Sequence, residues 1–297
     1  MSTAKKIKKQ LRYMAEALLC YFLYGFFKLL GVDWASATGG WILRHIGPHL
    51  AKHKAAQKHL QRVFPDMAPA RQSAILSAMW DNLGRVFAEY PHLHKLGDRF
   101  VIEGKSHLNE ILNNGEPAIL IGGHFANWEA YGVLAAHMGM PLNLVYRRPN
   151  NMYVDKLLIH ARSRGGAVQH IPKDISGAKT MAQVLKDKQY LGILLDQKFN
   201  EGVEVPFFGE TVRTAPYAIQ MARRFDCPVY AVRIERTGGA HFKVSIESPL
   251  NIKHTDDAQA DVSQALKEVH EFFESWISTR PEQWLWLHNR WTSEPKQ

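Results

Sequence analysis

A histidine and a glutamate stand five residues apart, directly after a short apolar run. Residues 118–121 are Ala-Ile-Leu-Ile, Gly122 and Gly123 follow, and the next residue is His124, with Glu129 five positions later. A histidine oriented by a carboxylate can act as a general base and take a proton from a hydroxyl. Residues at i and i+5 lie about 140° apart around a helix, so these two side chains cannot share one helical face.

The arrangement that brings the pair together places His124 on a strand-to-helix turn and Glu129 in the first turn of the helix. Asn127 is a suitable N-cap for such a helix. Glu129 would then fold back onto one imidazole nitrogen and leave the other free as the base. The two glycines would let a substrate approach the backbone. Spacing alone leaves an alternative: a structural histidine and a glutamate that complements the helix dipole.

Other chemistries fit the sequence less well. The segment lacks the His-Glu-x-x-His spacing of a zinc site and has no nearby cysteine. Two adjacent glycines are not the G-x-G-x-x-G fingerprint of a dinucleotide loop. The chain also has no G-x-S-x-G elbow for a nucleophilic serine. Hydrolysis is therefore left only as a side reaction, in which the histidine takes its proton from water in place of the hydroxyl. We therefore expect neither a metal nor a bound cofactor.

Further polar residues follow the predicted strands and helices. Arg147 ends one strand, Asp196 follows another, and Arg162 and Arg164 lie at the end of a helix. Ligands of doubly wound sheets bind outside the carboxyl ends of the strands, so Arg147 and Asp196 are expected in the same crevice as His124. Guanidinium groups there suit a phosphate or a developing oxyanion. The alternative for each arginine is a solvated surface position, and for Asp196 a loop cap.

Apolar patterning predicts the elements that position these residues. Residues 34–95 are expected to be helical, and from residue 101 onward apolar runs alternate with helical periodicity. The predicted strands are 118–121, 142–146, 167–171, 190–195, 229–234 and 242–246. The predicted helices are 128–138, 152–163, 176–187, 215–225 and 258–278. This alternation indicates an α/β fold with a mixed, largely parallel sheet flanked by helices.

Composition narrows the class of partner. The 297 residues carry a formal net charge of +9, and 46% of them are hydrophobic, which is enough for a sizeable core. Such a balance favours an acidic partner: a nucleic acid, an anionic membrane surface or an acidic protein. The two cysteines, Cys20 and Cys227, fit no disulfide or metal framework.

The N-terminus combines a basic cluster with an apolar run. Five basic residues lie within positions 5–12, and residues 13–32 are mostly apolar, with Glu16 and Lys28 near the ends of that run. The run is just long enough to span a bilayer. A helix lying in the interface and an ordinary core helix are the alternatives. We divide the chain into a membrane-associated helix, residues 1–33, a helical subregion, 34–100, and an α/β catalytic core, 101–297.

The segment from Gly122 to Glu129, Gly-Gly-His-Phe-Ala-Asn-Trp-Glu, resembles the H-x-x-x-x-D/E motif of glycerolipid-type acyltransferases. Its H-F-x-N-W-E form is similar to that of the late acyltransferases of lipid A biosynthesis, the lauroyl and myristoyl transferases. Segments that resemble other blocks of this family follow in the right order: 79–85, 162–166, 195–197, 205–209, 214–215 and 281–291.

This resemblance implies transfer of an acyl chain from acyl-acyl carrier protein to a hydroxyl of a lipid A precursor of the Kdo2-lipid IVA type. It makes His124 the general base, Glu129 its orienting carboxylate, Arg164 a charge-stabilising residue and Asp196 a supporting residue. The donor is cytosolic, so the enzyme is expected on the cytoplasmic face of the bacterial inner membrane, with no nucleic acid as partner. Another glycolipid or a lysophospholipid is the alternative acceptor.

Aromatic residues near the C-terminus have two interpretations. Trp284, Trp286 and Trp291, together with Phe207 and Phe208, would line an acyl channel or lie at the membrane interface. Alternatively, they are ordinary core residues.

Overall fold

The N-terminal third of the chain is helical. The computed structural model describes residues 3–166 and 168–291. Its first four α-helices are α1 (Thr3–Leu30), α2 (Val32–Ile46), α3 (Lys52–Val63) and α4 (Pro69–Glu89), and a 3₁₀ helix covers Tyr90–Lys95. Proline at the first position of α4 suits a helix start, because an N–H at this position would have no acceptor within the helix and its loss costs no hydrogen bond. The predicted helical region 34–95 is confirmed.

A seven-stranded sheet follows, with helices packed on it. Its strands are β1 (Phe100–Glu103), β2 (Ala118–Gly122), β3 (Leu142–Tyr146), β4 (Gln169–Pro172), β5 (Tyr190–Leu194), β8 (Val229–Gly238) and β9 (His241–Pro249). The strand order is β1-β9-β8-β2-β5-β3-β4, and every neighbouring pair is parallel except β8 and β9. The remaining helices are α5 (Lys105–Asn113), α6 (Tyr131–His137), α7 (Met152–Arg164), α8 (Ile175–Lys186), α9 (Tyr217–Phe225) and α10 (Ala258–Thr279). The predicted mixed, largely parallel α/β fold is confirmed.

The sequence missed three strands. The short strand β1 and the antiparallel hairpin of β6 (Val203–Phe207) and β7 (Glu210–Thr214) were not predicted. The apolar residues of β6 and β7 are separated by polar residues or proline, and β1 has only three apolar residues in a row, a shorter run than that of β2. The strand expected at 167–171 is shifted to β4, and Ala167 lies outside the described residues.

The C-terminal aromatic residues are core residues. Trp284, Trp286 and Trp291 are almost completely buried, as is Phe207, whereas Phe208 is only partly buried. They pack in one cluster with residues of α3, α4 and α10. The interpretation as core residues is therefore confirmed, and the interpretation as channel-lining or membrane-facing residues is wrong, because these rings pack between the sheet and the helices.

Helix α1 is mostly exposed and is attached to the domain along one side. It is the one helix among the described residues that is long and apolar enough to cross a membrane, with mean hydropathy 1.3 over its most apolar window. The Asn151 side-chain amide donates to the Tyr13 carbonyl at 2.8 Å, and a ring nitrogen of His92 lies 2.9 Å from the Phe27 carbonyl. The core-helix alternative is wrong, since most of the apolar side chains of α1 face outward.

Candidate active site

The centre of the site forms where two neighbouring parallel strands end. Gly122 of β2 is paired with Leu194 of β5, and the Leu195 N–H donates to the Gly122 carbonyl at 2.9 Å. His124 and Asp196 each lie two residues beyond that paired position, so the sheet brings them to the same point. The Nδ1 atom of His124 lies 2.7 Å from an oxygen of Asp196.

Asp196 is held in its ionised form. The His124 backbone N–H and the Trp284 indole N–H both donate to its second oxygen, each at 2.8 Å, and the residue is only 1% exposed. Burial alone raises the pKa of this carboxyl, but the charge and hydrogen bonds of His124 outweigh burial and hold the pKa well below its usual range. An ionised Asp196 fixes the proton of a neutral His124 on Nδ1 and leaves a lone pair on Nε2.

Gln197 connects this histidine to a second one. Its side-chain nitrogen lies 3.1 Å from His124 Nε2 and 2.9 Å from His288 Nε2. Burial and the neighbouring His124 lower the pKa of His288 to about 4, so this imidazole is neutral at pH 7. Only the NH₂ end of the amide can satisfy the Nε2 lone pair of His124, and this fixes the orientation of Gln197.

The structure corrects the expected contact between Glu129 and His124. Glu129 forms a two-pronged ion pair with Arg162, whose Nε lies 2.6 Å and Nη2 2.7 Å from the carboxylate oxygens. Burial raises the pKa of Glu129, but the charge and hydrogen bonds of Arg162 reverse this and lower it overall. Asp196 takes the place on the imidazole that was expected for Glu129, because β5 lies directly beside β2.

The turn that carries His124 is held by hydrogen bonds from several neighbouring segments. Asn127 caps the short 3₁₀ helix Trp128–Ala130 by accepting from the Glu129 N–H at 3.1 Å, as predicted. Ala126 has a φ of 43°, a left-handed conformation that is unfavourable for alanine. The Asn82 side chain donates to the Ala126 carbonyl at 3.0 Å, and the Ala126 N–H donates to Gln283 at 3.0 Å. These contacts fix the position of the base.

Gly122 cannot be replaced by a larger residue without a steric clash. A side chain at this position would collide with the ring of Tyr131, whose hydroxyl donates to the Val232 carbonyl at 2.7 Å. Gly122 also lines an apolar cavity beside the site, and the approach of a substrate to this backbone stays a prediction.

Two adjoining cavities meet at this centre. A polar cleft of about 300 Å³ is lined by His124, Gln197, His288, Arg147 and Lys173, among others. A narrower cavity of about 60 Å³ is mainly apolar. Its apolar lining includes Leu120, Tyr131, Leu142, Leu144 and Ile193. The two cavities share Trp128, Glu129, Val145, Tyr146, Arg162, Ile193 and Leu194.

The arginines separate into two groups. Arg147 lines the polar cleft, as expected, and so do Arg162 and the unpredicted Lys173. Arg164 instead lies on the exposed side of α7, near Tyr24 and His94, and lines neither cavity. Arg164 therefore does not lie where the charge-stabilising role was expected. It follows Arg162 by two positions on the same helix, and side chains two positions apart point in different directions.

Lys173 was not singled out from the sequence, and Gln197 and His288 were noted only within the segments 195–197 and 281–291 that resemble blocks of the family. Each follows a strand or lies in the C-terminal segment, and only the chain fold shows that they converge. Among residues 3–166 and 168–291, there is no group of three or more histidine, cysteine or carboxylate side chains arranged to hold a metal ion.

Comparison with known proteins identifies the family. The family described as bacterial lipid A biosynthesis acyltransferase matches residues 4–293. The chain belongs to this family. It is 25% identical to a lipid A biosynthesis acyltransferase of Haemophilus influenzae, over 80% of this chain and 76% of that protein. It is also 25% identical to the lipid A biosynthesis lauroyltransferase of Escherichia coli, over 82% and 80% of the two chains.

Another relative is named for a different acceptor. The chain is 22% identical to a phosphatidylinositol mannoside acyltransferase of Mycobacterium tuberculosis, over 88% of this chain and 89% of that protein. All three relatives are named as acyltransferases, and this member of the lipid A acyltransferase family is an enzyme of that type.

Proposed function

We propose that this enzyme moves a fatty acyl chain from acyl-acyl carrier protein to a hydroxyl of a lipid A precursor of the Kdo2-lipid IVA type. The observation that supports this most directly is the state of His124. Asp196 fixes its proton on Nδ1, and its Nε2 lone pair faces the polar cleft. This is the arrangement that a general base for a hydroxyl requires.

The reaction then balances without a cofactor. The acceptor hydroxyl gives its proton to Nε2 of His124 while its oxygen attacks the carbonyl carbon of the donor thioester. The tetrahedral intermediate collapses, the carbon–sulfur bond breaks, and the leaving thiolate takes the proton from Nε2. Asp196 stabilises the imidazolium that exists between these two proton transfers.

Glu129 acts on this reaction through Arg162. Atom Nη1 of Arg162 is buried and has no hydrogen-bond partner among the described residues, and the side chain lines both cavities. A buried, unpartnered guanidinium N–H is costly unless a ligand satisfies it. We assign to Arg162 the charge-stabilising role beside the reacting ester, and to Glu129 the role of holding it there.

The two cavities fit the two substrates. Arg147 and Lys173 line the polar cleft, which suits the anionic headgroup of the acceptor. The apolar cavity between β2, β3 and β5 has about 60 Å³, which suits only the part of the donor's acyl chain next to the thioester.

The outer surface of the first two helices suits a membrane. Trp34 and Trp41 of α2 are 73% and 63% exposed, and α1 adds Leu18, Phe22 and Leu29 to the exposed apolar side chains. Exposed apolar area of this kind, next to a basic N-terminus, is typical of a helix that lies in the membrane interface. Because α1 is hydrogen-bonded at Tyr13 to Asn151, the N-cap of α7, and at Phe27 to His92, we propose that it lies on the cytoplasmic face rather than crossing the membrane.

The charge of the enzyme suits its proposed donor. Acyl carrier proteins are acidic, and attraction to a surface with net charge +9 would weaken as salt is added. The relative from Mycobacterium tuberculosis supports a second candidate acceptor, another glycolipid, with the same base and the same donor chemistry.

The test uses the purified enzyme with acyl-acyl carrier protein and the lipid A precursor. Mass spectrometry should show one added acyl chain, and H124A should abolish transfer while remaining folded, with a cooperative unfolding transition. In cells that lack the enzyme, lipid A should miss one secondary acyl chain. An unchanged lipid A, with transfer to a phosphatidylinositol mannoside in vitro, would favour the second acceptor. Full activity of H124A would exclude this catalytic mechanism.

A further inference from the structure

The backbone N–H groups around His124 are already occupied. The His124 N–H donates to Asp196 at 2.8 Å, the Phe125 N–H to the Gly123 carbonyl at 2.8 Å, and the Ala126 N–H to Gln283 at 3.0 Å. Acyl transfer passes through a tetrahedral intermediate whose oxyanion needs hydrogen-bond donors about 3 Å away. In this enzyme, these three backbone groups are engaged elsewhere, which directs attention to the side-chain donors of the site.

Gln197 is the uncharged donor in contact with the base. Its NH₂ group places one hydrogen towards His124 Nε2, 3.1 Å away, and the other towards His288 Nε2, 2.9 Å away. When the acceptor hydroxyl binds to His124 Nε2, it replaces the first of these hydrogen bonds. The released N–H then lies next to the carbon that the hydroxyl oxygen attacks.

Gln197 is held in a fixed position by its hydrogen bonds. The guanidinium of Arg290 donates to the backbone carbonyl of Gln197 at 2.8 Å and to the Thr214 hydroxyl at 2.8 Å, and Arg290 is completely buried. His288 holds the second N–H of the amide throughout. A donor fixed in this way needs little reorganisation when negative charge develops, which is the condition for effective oxyanion stabilisation.

We infer that Gln197 is a catalytic residue that stabilises the oxyanion of the acyl-transfer intermediate, with His288 as its positioning residue. This inference rests on the proposed acyl transfer. Arg162 supplies the charged interaction at the site and Gln197 the neutral hydrogen bond, so the two contributions are separable.

The experiment compares Gln197→Ala and the isosteric Gln197→Glu with wild type. Each should lower kcat about 10²–10³-fold and change the KM of the donor by less than about threefold. Gln220→Ala, an exposed glutamine of α9, is the matched control and should keep wild-type rates.

A second donor separates catalysis from a structural role. A dithioester replaces the carbonyl oxygen by sulfur, a weaker hydrogen-bond acceptor, so wild type should prefer the thioester and the Gln197 variants should lose much of that preference. Variants with kcat within about threefold of wild type would overturn the inference. The inference would also be overturned if a slow variant kept the wild-type preference for the thioester, or if its melting temperature were lowered. Wild-type enzyme that transfers no acyl chain would instead refute the proposed function itself.

Discussion

The hydrogen bond from His124 to Asp196 makes a specific prediction for Asp196→Asn. One carboxylate oxygen accepts from the His124 backbone and from Trp284, so the asparagine carbonyl will keep those two partners. Its NH₂ group then faces His124 Nδ1. Because that group donates, it selects the histidine tautomer with hydrogen on Nε2, which cannot act as the base. That hydrogen also points at the NH₂ group of Gln197.

The expected loss in rate is large. An aspartate-to-asparagine change that reverses the tautomer of a catalytic histidine lowers kcat about 10⁴-fold in serine proteases. At 1.36 kcal/mol per tenfold change, this is roughly 5 kcal/mol of barrier. The folded protein should also lose about 1.5–3 kcal/mol of stability, the range for one hydrogen bond to a charged group.

The sign of the pH effect follows from the lowered pKa of Asp196. The stabilisation that this carboxylate provides is fully present above its unfolded pKa of about 3.9, and it is lost as the pH falls through the lower folded value. The stability gap between wild type and Asp196→Asn should therefore be constant near pH 7 and close only in strong acid.

The assay is steady-state acyl transfer, combined with urea unfolding at pH 7. Asp98→Asn changes a fully exposed carboxylate and serves as the matched control. Glu129→Gln distinguishes the two carboxylates, since Glu129 contacts Arg162 and not the imidazole. If Asp196→Asn kept a tenth or more of wild-type kcat, the assignment of Asp196 as the group that orients the base would be refuted.

Three further predictions follow from the site and its surroundings. Arg162→Ala should lower the free energy of unfolding by about 3–5 kcal/mol, and the double variant with Glu129→Ala by less than the sum of the single changes, measured by urea unfolding. Gly192→Ala should shift donor preference to shorter acyl chains in a competition assay, because its methyl group would lie 2.6 Å from a Leu144 carbon in the apolar cavity. Burial and Arg290 lower the pKa of His270 to about 3, so this histidine alone should cost wild type roughly 2 kcal/mol of stability as the pH falls from 7 to 5. His288 and His170, whose pKa values are lowered to about 4, add further losses, and His270→Asn should lose less than wild type by the His270 contribution. The first prediction is contradicted if Arg162→Ala is as stable as wild type, and the second if Gly192→Ala leaves the donor preference unchanged. The third is contradicted if wild type and His270→Asn lose the same stability between pH 7 and pH 5.

The sequence predicts every strand of the large sheet except the short β1, and it misses the hairpin of β6 and β7. The all-apolar run of β2 has one interpretation, whereas the hairpin of β6 and β7 carries charged residues and Pro206 on exposed positions. Such a hairpin looks like a loop until the neighbours that cover its buried side are known.

Similar reasoning explains which site residues were predictable. Sequence alone places both His124 and Asp196 after apolar strands, and hence at the same edge of a parallel sheet. It does not show that β5 is the neighbour of β2, since the two residues are 72 positions apart. Glu129, only five positions away, therefore seemed the natural partner, and the strand order decided otherwise.

The C-terminal segment completes the site that these two strands begin. The Leu285 N–H donates to the His124 carbonyl at 3.1 Å, Trp284 donates to Asp196, and His288 meets Gln197 at 2.9 Å. Adjacent strand ends alone would leave two polar loops free to move apart. Residues from one short segment bond to both loops, so the distance between base and carboxylate is set by the packing of the core that buries Trp284. The burial of these aromatic residues is therefore a requirement for the catalytic geometry.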